Sequence, residues 1–176
     1  MSEKIITIFG TSRAKRGDAI YDFAYSIGKV LAESGFGIAN GGYGGTMEAA
    51  AAGAAQAGGN VTGVTCKAFK RGLANEYVTK EIVTENLRER LDALMEIGDG
   101  FVVLPGGTGT LLEFAEVWEL KNKGFLKSDK PVILAGDFWR PLVELVAKDD
   151  AGSRDFVCIA KDAEQVRDLL LDGIKL

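Results

Sequence analysis

Two glycine-rich segments hold the residues of this chain that are best suited to bind an anion. Asn40–Ala49 has the sequence NGGYGGTMEA, and Pro105–Glu113 has the sequence PGGTGTLLE. Glycine lets the backbone adopt positive φ angles and lets a ligand approach the main-chain amides closely. Where such a turn leads into a helix, free N–H groups and the positive end of the helix dipole bind an anion. The two segments therefore predict a site for a phosphate group.

The residues expected at this site are the glycines of both turns and the hydroxyl groups of the second turn. They are Gly41, Gly42, Gly44 and Gly45 in the first turn, and Gly106, Gly107, Thr108, Gly109 and Thr110 in the second. The alternative is that the glycines only allow tight turns between strand and helix. Neither segment is a P-loop, because no Gly-Lys-Ser/Thr follows. Neither matches GxGxxG, because Met47 and Leu112 occupy the third glycine positions.

Four charged residues near the second turn are candidates for chemistry. Thr110-Leu-Leu-Glu113 has the spacing of a capping box, in which Glu113 would bond back to the start of the helix. Glu116 lies one helical turn further along, so both carboxylates could border a bound phosphate. Arg88 and Arg90 precede a central strand. An arginine there is either a solvated surface charge or reaches into the crevice and holds a phosphate.

Strand-like runs alternate with helical periods along the whole chain. Strands are predicted at Lys4–Phe9, Phe36–Ala39, Asn60–Thr65, Tyr77–Val83, Phe101–Leu104, Pro131–Ala135 and Phe156–Ile159. Helices are predicted at Asp18–Ser34, Thr46–Ala57, Asn86–Ile97, from the PGGTGT turn to about Lys123, at Phe138–Ala147 and at Ala163–Leu171. This alternation indicates one domain, residues 1–176. Its predicted fold is three-layer, Rossmann-like, doubly wound α/β, with a mostly parallel sheet of about seven strands.

The predicted fold also says where a ligand would bind. In an open parallel sheet, ligands bind beyond the carboxyl ends of the strands, near the switch in strand order. The loops at that edge are GTSR after the first strand and the two glycine-rich turns. The charge-rich segment KDDAGSRD is instead predicted to be a solvated loop.

Composition excludes several classes of function. The formal net charge is −4 and no run of five or more basic residues occurs, so no nucleic-acid partner is expected. Histidine is absent, which removes Ser-His-Asp catalysis and histidine-ligated metals. Cys66 and Cys158 have no CxxC spacing and are interpreted as buried apolar residues. We expect no metal and no cofactor.

The predicted location follows from two further features. No apolar run approaches the roughly 20 residues that span a bilayer, so no membrane association is expected. The sequence MSEKIITIFG lacks the charged and apolar regions of a signal peptide, which together with the cysteine usage favours the cytoplasm.

The second segment, PGGTGTLLE, resembles the PGGxGTxxE signature of the LOG family, the cytokinin-activating nucleoside 5′-monophosphate phosphoribohydrolases. NGGYGGTMEAAAAGA resembles that family's first glycine loop, and Arg90 lies at the family's spacing before PGG. The resemblance extends from the first strand to the last helix. Family members often have glycine, lysine and glutamate where this chain has Tyr43, Leu91 and Leu112.

This resemblance implies a usually dimeric enzyme that cleaves the N-glycosidic bond of a purine nucleoside 5′-monophosphate, AMP-like or cytokinin-type, to free base and ribose 5-phosphate. By position, Arg90 and Glu113 would be the catalytic pair. PGGTGT would bind phosphate and ribose, with Gly41–Gly45 and Ser12 lining the crevice. The chemistry suits a carboxylate, which can stabilise an oxocarbenium-like transition state and orient water.

Two other functions are alternatives to the hydrolase. The first is a non-catalytic carrier of a nucleotide or of a phosphate-bearing cofactor such as molybdenum cofactor, a role known for proteins of this fold. The presence of both Arg90 and Glu113 favours the enzyme, because a carrier needs that glutamate only as a helix cap. The second is a lysine decarboxylase, a label often given to this family. It would require a lysine that forms an imine with pyridoxal phosphate, and neither glycine turn contains one.

Overall fold

The structure is a computed structural model, which describes residues 3–70, 72–127 and 129–174. Its strands are β1 Ile5–Phe9, β2 Gly37–Asn40, β3 Val61–Cys66, β4 Lys80–Thr84, β5 Gly100–Val103, β6 Val132–Ala135 and β7 Cys158–Ala160. Its α-helices are α1 Ala19–Glu33, α2 Thr46–Gln56, α3 Leu87–Ile97, α4 Thr108–Asn122, α5 Arg140–Val146 and α6 Ala163–Gly173. Strands and helices thus alternate as the sequence predicts.

The seven strands form one sheet in the order β4-β3-β2-β1-β5-β6-β7, and every pair in it is parallel. One apolar core lies between the sheet and helices α1, α2 and α6. A second core lies between the opposite face and helices α3, α4 and α5. The predicted three-layer, doubly wound α/β fold is therefore confirmed.

The strand order changes direction at β1, which pairs with β2 on one side and with β5 on the other. From β1, the chain adds β2, β3 and β4 in succession toward one edge of the sheet, then returns to add β5 on the other side of β1. At such a switch point, the loops that follow the two central strands diverge and leave a crevice between them. The crevice lies at the carboxyl ends of β1 and β5; the second glycine-rich turn follows β5, and the first follows β2, the neighbour of β1.

Helix α2 reaches its place beside this crevice because it consists largely of small residues. A Cβ atom on Gly28 of α1 would lie 2.0 Å from the carbonyl oxygen of Ala50, and one on Gly53 would lie 2.0 Å from that of Tyr25. The backbones of α1 and α2 are therefore in direct contact. This packing fixes the start of α2, and with it the first glycine turn.

Some predictions differ from the structure in detail. Strand β4 begins at Lys80 rather than Tyr77, because the residues before it bond to the first glycine turn. The segment KDDAGSRD is not a plain loop: Ala151–Phe156 forms a 3-10 helix, and the carbonyl of its buried Ser153 accepts a hydrogen bond from Trp118. Cys66 is buried as predicted, but Cys158 is exposed on the edge strand β7.

Candidate active site

A cleft of about 490 Å³ opens at the switch point of the sheet. Its walls come from the loop after β1, the first glycine turn, a 3-10 helix after β3, helix α3, and the second glycine turn with the start of α4. The lining residues are Gly10, Thr11, Ser12, Arg13, Tyr43, Met47, Phe69, Leu87, Arg90, Leu91, Gly107, Thr108, Gly109, Thr110, Leu112 and Glu113. The cleft therefore brings Ser12, Arg90 and Glu113 together with the second glycine turn.

Arg90 and Glu113 form a buried ion pair in this cleft. The Nη1 atom of Arg90 lies 3.1 Å from Oε1 of Glu113, and the two side chains are only 7% and 11% exposed. Glu113 therefore does not serve as a helix cap, and the capping-box interpretation is wrong. The reason is that α4 begins at Thr108, two residues before the predicted cap, with Gly107 as N-cap and no side-chain cap bond.

Two further contacts fix the guanidinium of Arg90, and Gly41 leaves room for it. Its Nε donates a hydrogen bond of 2.9 Å to the carbonyl of Val64 in β3. Its Cζ lies 5.4 Å from the centroid of the Phe69 ring, a distance suited to a cation–π interaction. A Cβ atom on Gly41 would lie 1.9 Å from Nη2, so only glycine at that position leaves room for the arginine.

Burial raises the pKa of the Glu113 carboxyl to about 7, although the positive charge and the hydrogen bond of Arg90 oppose the shift. Desolvation disfavours the charged form of a carboxyl, and here it outweighs the attraction of the arginine. A carboxyl with a pKa near neutrality can both accept and return a proton under physiological conditions.

The second glycine turn leaves the start of α4 open toward the cleft. The first bond within this helix runs from the amide of Leu111 to the carbonyl of Gly107, so the preceding amides have no acceptor within the helix. A Cβ atom on Gly107 or Gly109 would meet nothing within 4 Å. The space in front of these residues is therefore free for a ligand. Gly106 faces the protein instead, because a Cβ there would lie 2.1 Å from Oγ1 of Thr110.

The first glycine turn has a different arrangement. Both the amide and the hydroxyl of Thr46, the first residue of α2, donate to the carbonyl oxygen of Thr11, at 2.9 and 3.0 Å. A Cβ on Gly45, whose φ is +71°, would lie 2.3 Å from that same oxygen. The start of α2 is therefore occupied by the protein's own backbone. Gly41, Gly42, Gly44 and Gly45 are not among the described residues that line the cleft.

Side chains hold the first glycine turn in a fixed shape. The buried Asn40 accepts a hydrogen bond from the amide of Gly42, and Asn75 donates to the carbonyls of Gly42 and Tyr43. The Tyr43 hydroxyl accepts from the amide of Cys66 at 2.9 Å and donates to its carbonyl at 3.3 Å. This turn therefore presents the Tyr43 side chain to the cleft from a rigid frame, with Met47 beside it.

Glu116 and Arg88 lie outside the cleft. Nη2 of Arg88 lies 3.0 Å from Oε1 of Glu116, and the arginine side chain is 67% exposed. Glu116 lies one helical turn after Glu113 as predicted, but its side chain bonds to Arg88 and does not line the cleft. The two carboxylates therefore do not both border the cleft.

Sequence reasoning missed several residues of the cleft. Arg13 follows Ser12 directly and could have been inferred from its place after β1. Tyr43, Leu91 and Leu112 are the positions where the sequence departs from the LOG pattern, and all three line the cleft. Phe69 could not be inferred from the sequence, because it lies in a 3-10 helix of three residues, which is too short to show a periodic pattern.

Residues 3–70, 72–127 and 129–174 contain no group of three or more His, Cys, Asp or Glu side chains placed to hold a metal ion. Within the same ranges, no helix combines the length and the apolar character needed to cross a bilayer.

Sequence comparison gives two kinds of match. A family model described as "Possible lysine decarboxylase" matches residues 47–170. The chain is 30% identical over 172 residues to the cytokinin riboside 5′-monophosphate phosphoribohydrolase of Rhodococcoides fascians, covering 92% of this chain and 86% of that protein. It is 34% identical over 123 residues to the protein of that name in Mycobacterium tuberculosis, covering 68% and 64% of the two chains. The chain therefore belongs to the LOG family.

Solved structures show the same fold. The molybdenum cofactor binding protein from Rippkaea orientalis matches with a TM-score of 0.80 and 28% identity, over 98% of both chains. The molybdenum cofactor carrier protein from Chlamydomonas reinhardtii matches with a TM-score of 0.77 and 27% identity, again over 98% of both chains. Members of this fold group thus include proteins named as enzymes and proteins named as carriers.

Proposed function

We propose that this protein is a hydrolase that cleaves the N-glycosidic bond of a purine nucleoside 5′-monophosphate. The observation that carries the proposal is the buried Arg90–Glu113 pair beside an open helix N-terminus in one cleft. Burying the Glu113 carboxyl costs stability that its pairing with Arg90 only partly offsets, and such costly groups concentrate at functional sites; here the carboxyl lines the cleft in which a ligand would lie. The names of the relatives in Rhodococcoides fascians and Mycobacterium tuberculosis support the same reaction class.

Different parts of the cleft bind the phosphate, the ribose and the base of the substrate. The open amides at the start of α4 and the hydroxyls of Thr108 and Thr110 bind the 5′-phosphate, which the helix dipole also attracts. Glu113 lies one helical turn further along α4, which places the ribose between the phosphate and the carboxyl. The apolar wall that includes Phe69 and Leu112 receives the base.

In the proposed hydrolysis, the proton that leaves the attacking water ends on the released purine, so no other acid or base is needed. The bond between C1′ and the base nitrogen breaks, and its electron pair leaves with the purine. The ionised Glu113 stabilises the positive charge that develops on the ribose ring, and it takes a proton from the attacking water. The same proton then neutralises the purine anion, so the products are free base and ribose 5-phosphate. Arg90 holds the carboxyl in place through the 3.1 Å contact.

The test is release of adenine from AMP by the purified protein, measured chromatographically for wild type and for Glu113→Gln. The variant keeps the shape of the side chain but cannot accept a proton, so turnover should fall at least about a thousandfold while AMP still binds. Glu116→Gln is the matched control, because that carboxylate lies on the same helix but outside the cleft. Equal loss in both variants, or full activity of Glu113→Gln, contradicts the proposed role.

The chemistry in the description "Possible lysine decarboxylase" has less support. Decarboxylation through pyridoxal phosphate needs a lysine at the reacting centre. Among the described residues that line the cleft, none is a lysine. We therefore do not propose this activity.

A carrier of a phosphate-bearing cofactor is the second candidate. It is favoured by the likeness to the Rippkaea orientalis and Chlamydomonas reinhardtii proteins, which extends over 98% of each chain. The same assay decides between the two functions. A wild-type protein that releases no base from a panel of nucleoside monophosphates, yet binds molybdenum cofactor, is a carrier. A homodimer and a cytoplasmic location stay predictions from the family resemblance and the sequence.

A further inference from the structure

The cleft is lined by two arginines with very different surroundings. Arg90 is buried and is bound by Glu113, the carbonyl of Val64 and the ring of Phe69. Arg13 is exposed, and across the described ranges its side chain has no ion pair. The positive charge of Arg13 is therefore available to a ligand, whereas that of Arg90 is already balanced by a carboxylate.

We propose that Arg13 binds the 5′-phosphate of the substrate, together with the N-terminus of α4. The identity of the ligand rests on the proposed function, but the need for a cation follows from the charges in the cleft. A phosphate monoester carries a charge of about −1.5 to −2 near neutral pH. The helix terminus offers only about half a positive charge.

Glu113 makes the need for a second cation sharper. A phosphate at Thr108 and Thr110 lies within about one helical turn of the Glu113 carboxyl. Arg90 balances only the Glu113 carboxylate, so a phosphate this close adds negative charge beyond what Arg90 offsets, and it would drive Glu113 toward its protonated, inactive form. A full positive charge on the loop after β1, which also lines the cleft, offsets this repulsion. Arg13 is the uncommitted cation among the described lining residues.

The backbone that carries Arg13 is fixed for this task. The amide of Arg13 donates to the hydroxyl of Thr11 at 3.1 Å, and the carbonyl of Thr11 accepts the two bonds from Thr46. Gly45 permits this contact, since any Cβ there would collide with the Thr11 carbonyl. The first glycine turn thus anchors the arginine-bearing loop, and only the flexible end of the Arg13 side chain has to order on binding.

The test measures binding of AMP and of adenosine by calorimetry for wild type, Arg13→Ala and Arg13→Lys. Loss of a charged hydrogen bond should weaken AMP binding by about tenfold to a hundredfold in Arg13→Ala. Arg13→Lys should restore part of that affinity, and adenosine, which lacks the phosphate, should bind alike to all three proteins. Thermal unfolding should not change, because the Arg13 side chain is exposed.

Arg16→Ala is the matched control. Arg16 lies three residues further along the same loop and is 67% exposed, but it pairs with Glu48 at 3.4 Å and with the Tyr77 hydroxyl at 3.0 Å, away from the cleft. Its loss removes the same charge from the protein and should leave AMP binding unchanged.

The outcomes separate this inference from the proposed function. If Arg13→Ala binds AMP as wild type does, or if Arg16→Ala weakens AMP binding equally, the role of Arg13 is overturned. If AMP binding depends on Arg13 but wild type releases no adenine, the role of Arg13 stands and the hydrolase fails. If wild type binds neither AMP nor ribose 5-phosphate, both are overturned.

Discussion

The two glycine-rich turns look alike in sequence and differ in what their glycines make room for. In the first turn, a Cβ on Gly41 would meet Arg90, and one on Gly45 would meet the carbonyl of Thr11. In the second turn, a Cβ on Gly107 or Gly109 would meet nothing within 4 Å. Gly41 and Gly45 of the first turn accommodate the protein itself, whereas Gly107 and Gly109 of the second turn leave space for a ligand.

The helices that follow the turns show the same difference. The start of α2 is closed by the carbonyl of Thr11, while the start of α4 opens into the cleft. A glycine-rich strand-to-helix turn is therefore not by itself an anion site. Such a turn can bind an anion only if no other part of the chain already occupies the helix N-terminus.

The largest effect is expected at the second turn, from the titration of Glu113. Burial raises its pKa from 4.5 to about 7 in the folded protein, so between these values the folded state holds a proton that the unfolded state has lost. Stability is therefore lost as the pH rises from about 4.5 to 7, by an amount on the order of 3 kcal/mol. Urea unfolding of wild type and Glu113→Gln across this range measures it. A constant difference between the two proteins contradicts the prediction.

A nearly equal effect is expected from Gly45→Ala in the first turn. The new Cβ would collide with backbone atoms of Thr11 and Ser12, and the positive φ of +71° is unfavourable for alanine. We expect the free energy of unfolding to fall by about 2 to 3 kcal/mol. Gly107→Ala in the second turn is the control and should cost less than about 1 kcal/mol. Similar losses in the two variants would remove the distinction between the turns.

A third prediction concerns the affinity for ligand, rather than stability, and applies to the second turn. Gly107→Val places a branched side chain in the free space before α4, so AMP binding should weaken by about thirtyfold, or about 2 kcal/mol. The sheet should stay folded, because no described atom lies within 4 Å of the added Cβ. Calorimetry and thermal unfolding measure the two quantities. Wild-type affinity in this variant would show that the ligand binds elsewhere.

A smaller effect, of about tenfold on the rate of adenine release, is expected from Gly41→Ala. The added Cβ would lie 1.9 Å from Nη2 of Arg90 and 2.6 Å from the sulfur of Met47, so both side chains must move and Arg90 no longer holds the Glu113 carboxyl in place. Without the arginine, the pKa of Glu113 should rise further, which a titration of the variant detects independently of turnover. Gly44→Ala is the control, with its nearest neighbour, an oxygen of Glu48, at 3.9 Å. Equal rates for Gly41→Ala and Gly44→Ala would refute the role of Gly41.

Much of the fold could be predicted because each strand and helix has its own local signal. The alternation of apolar runs with helical periods predicted all seven strands, and short loops left few alternatives for their order. Boundaries were less accurate where tertiary contacts decide them. Strand β4 is the example: it begins at Lys80 rather than Tyr77, and Asn75, shortly before it, bonds to the first glycine turn.

The site was less predictable, because its decisive contacts join residues far apart in sequence. The bond that closes α2 joins residues 35 positions apart, and Arg90 meets Glu113 across 23 positions. No local pattern distinguishes a glycine that faces an arginine from one that faces solvent. The resemblance to the LOG family supplied the pairing of Arg90 with Glu113, whereas spacing alone suggested a helix cap.

The central position of β1 bears on how the chain folds. The first strand pairs with β5, and its Ile5 amide bonds to Asp99, 94 residues further along the chain. Contacts of such separation form slowly, because a long loop must close before they are made. During synthesis, β1 to β4 therefore emerge with one edge of β1 unpaired, and such an edge can pair with another nascent chain. The cleft itself cannot exist until β5 and the start of α4 have been made.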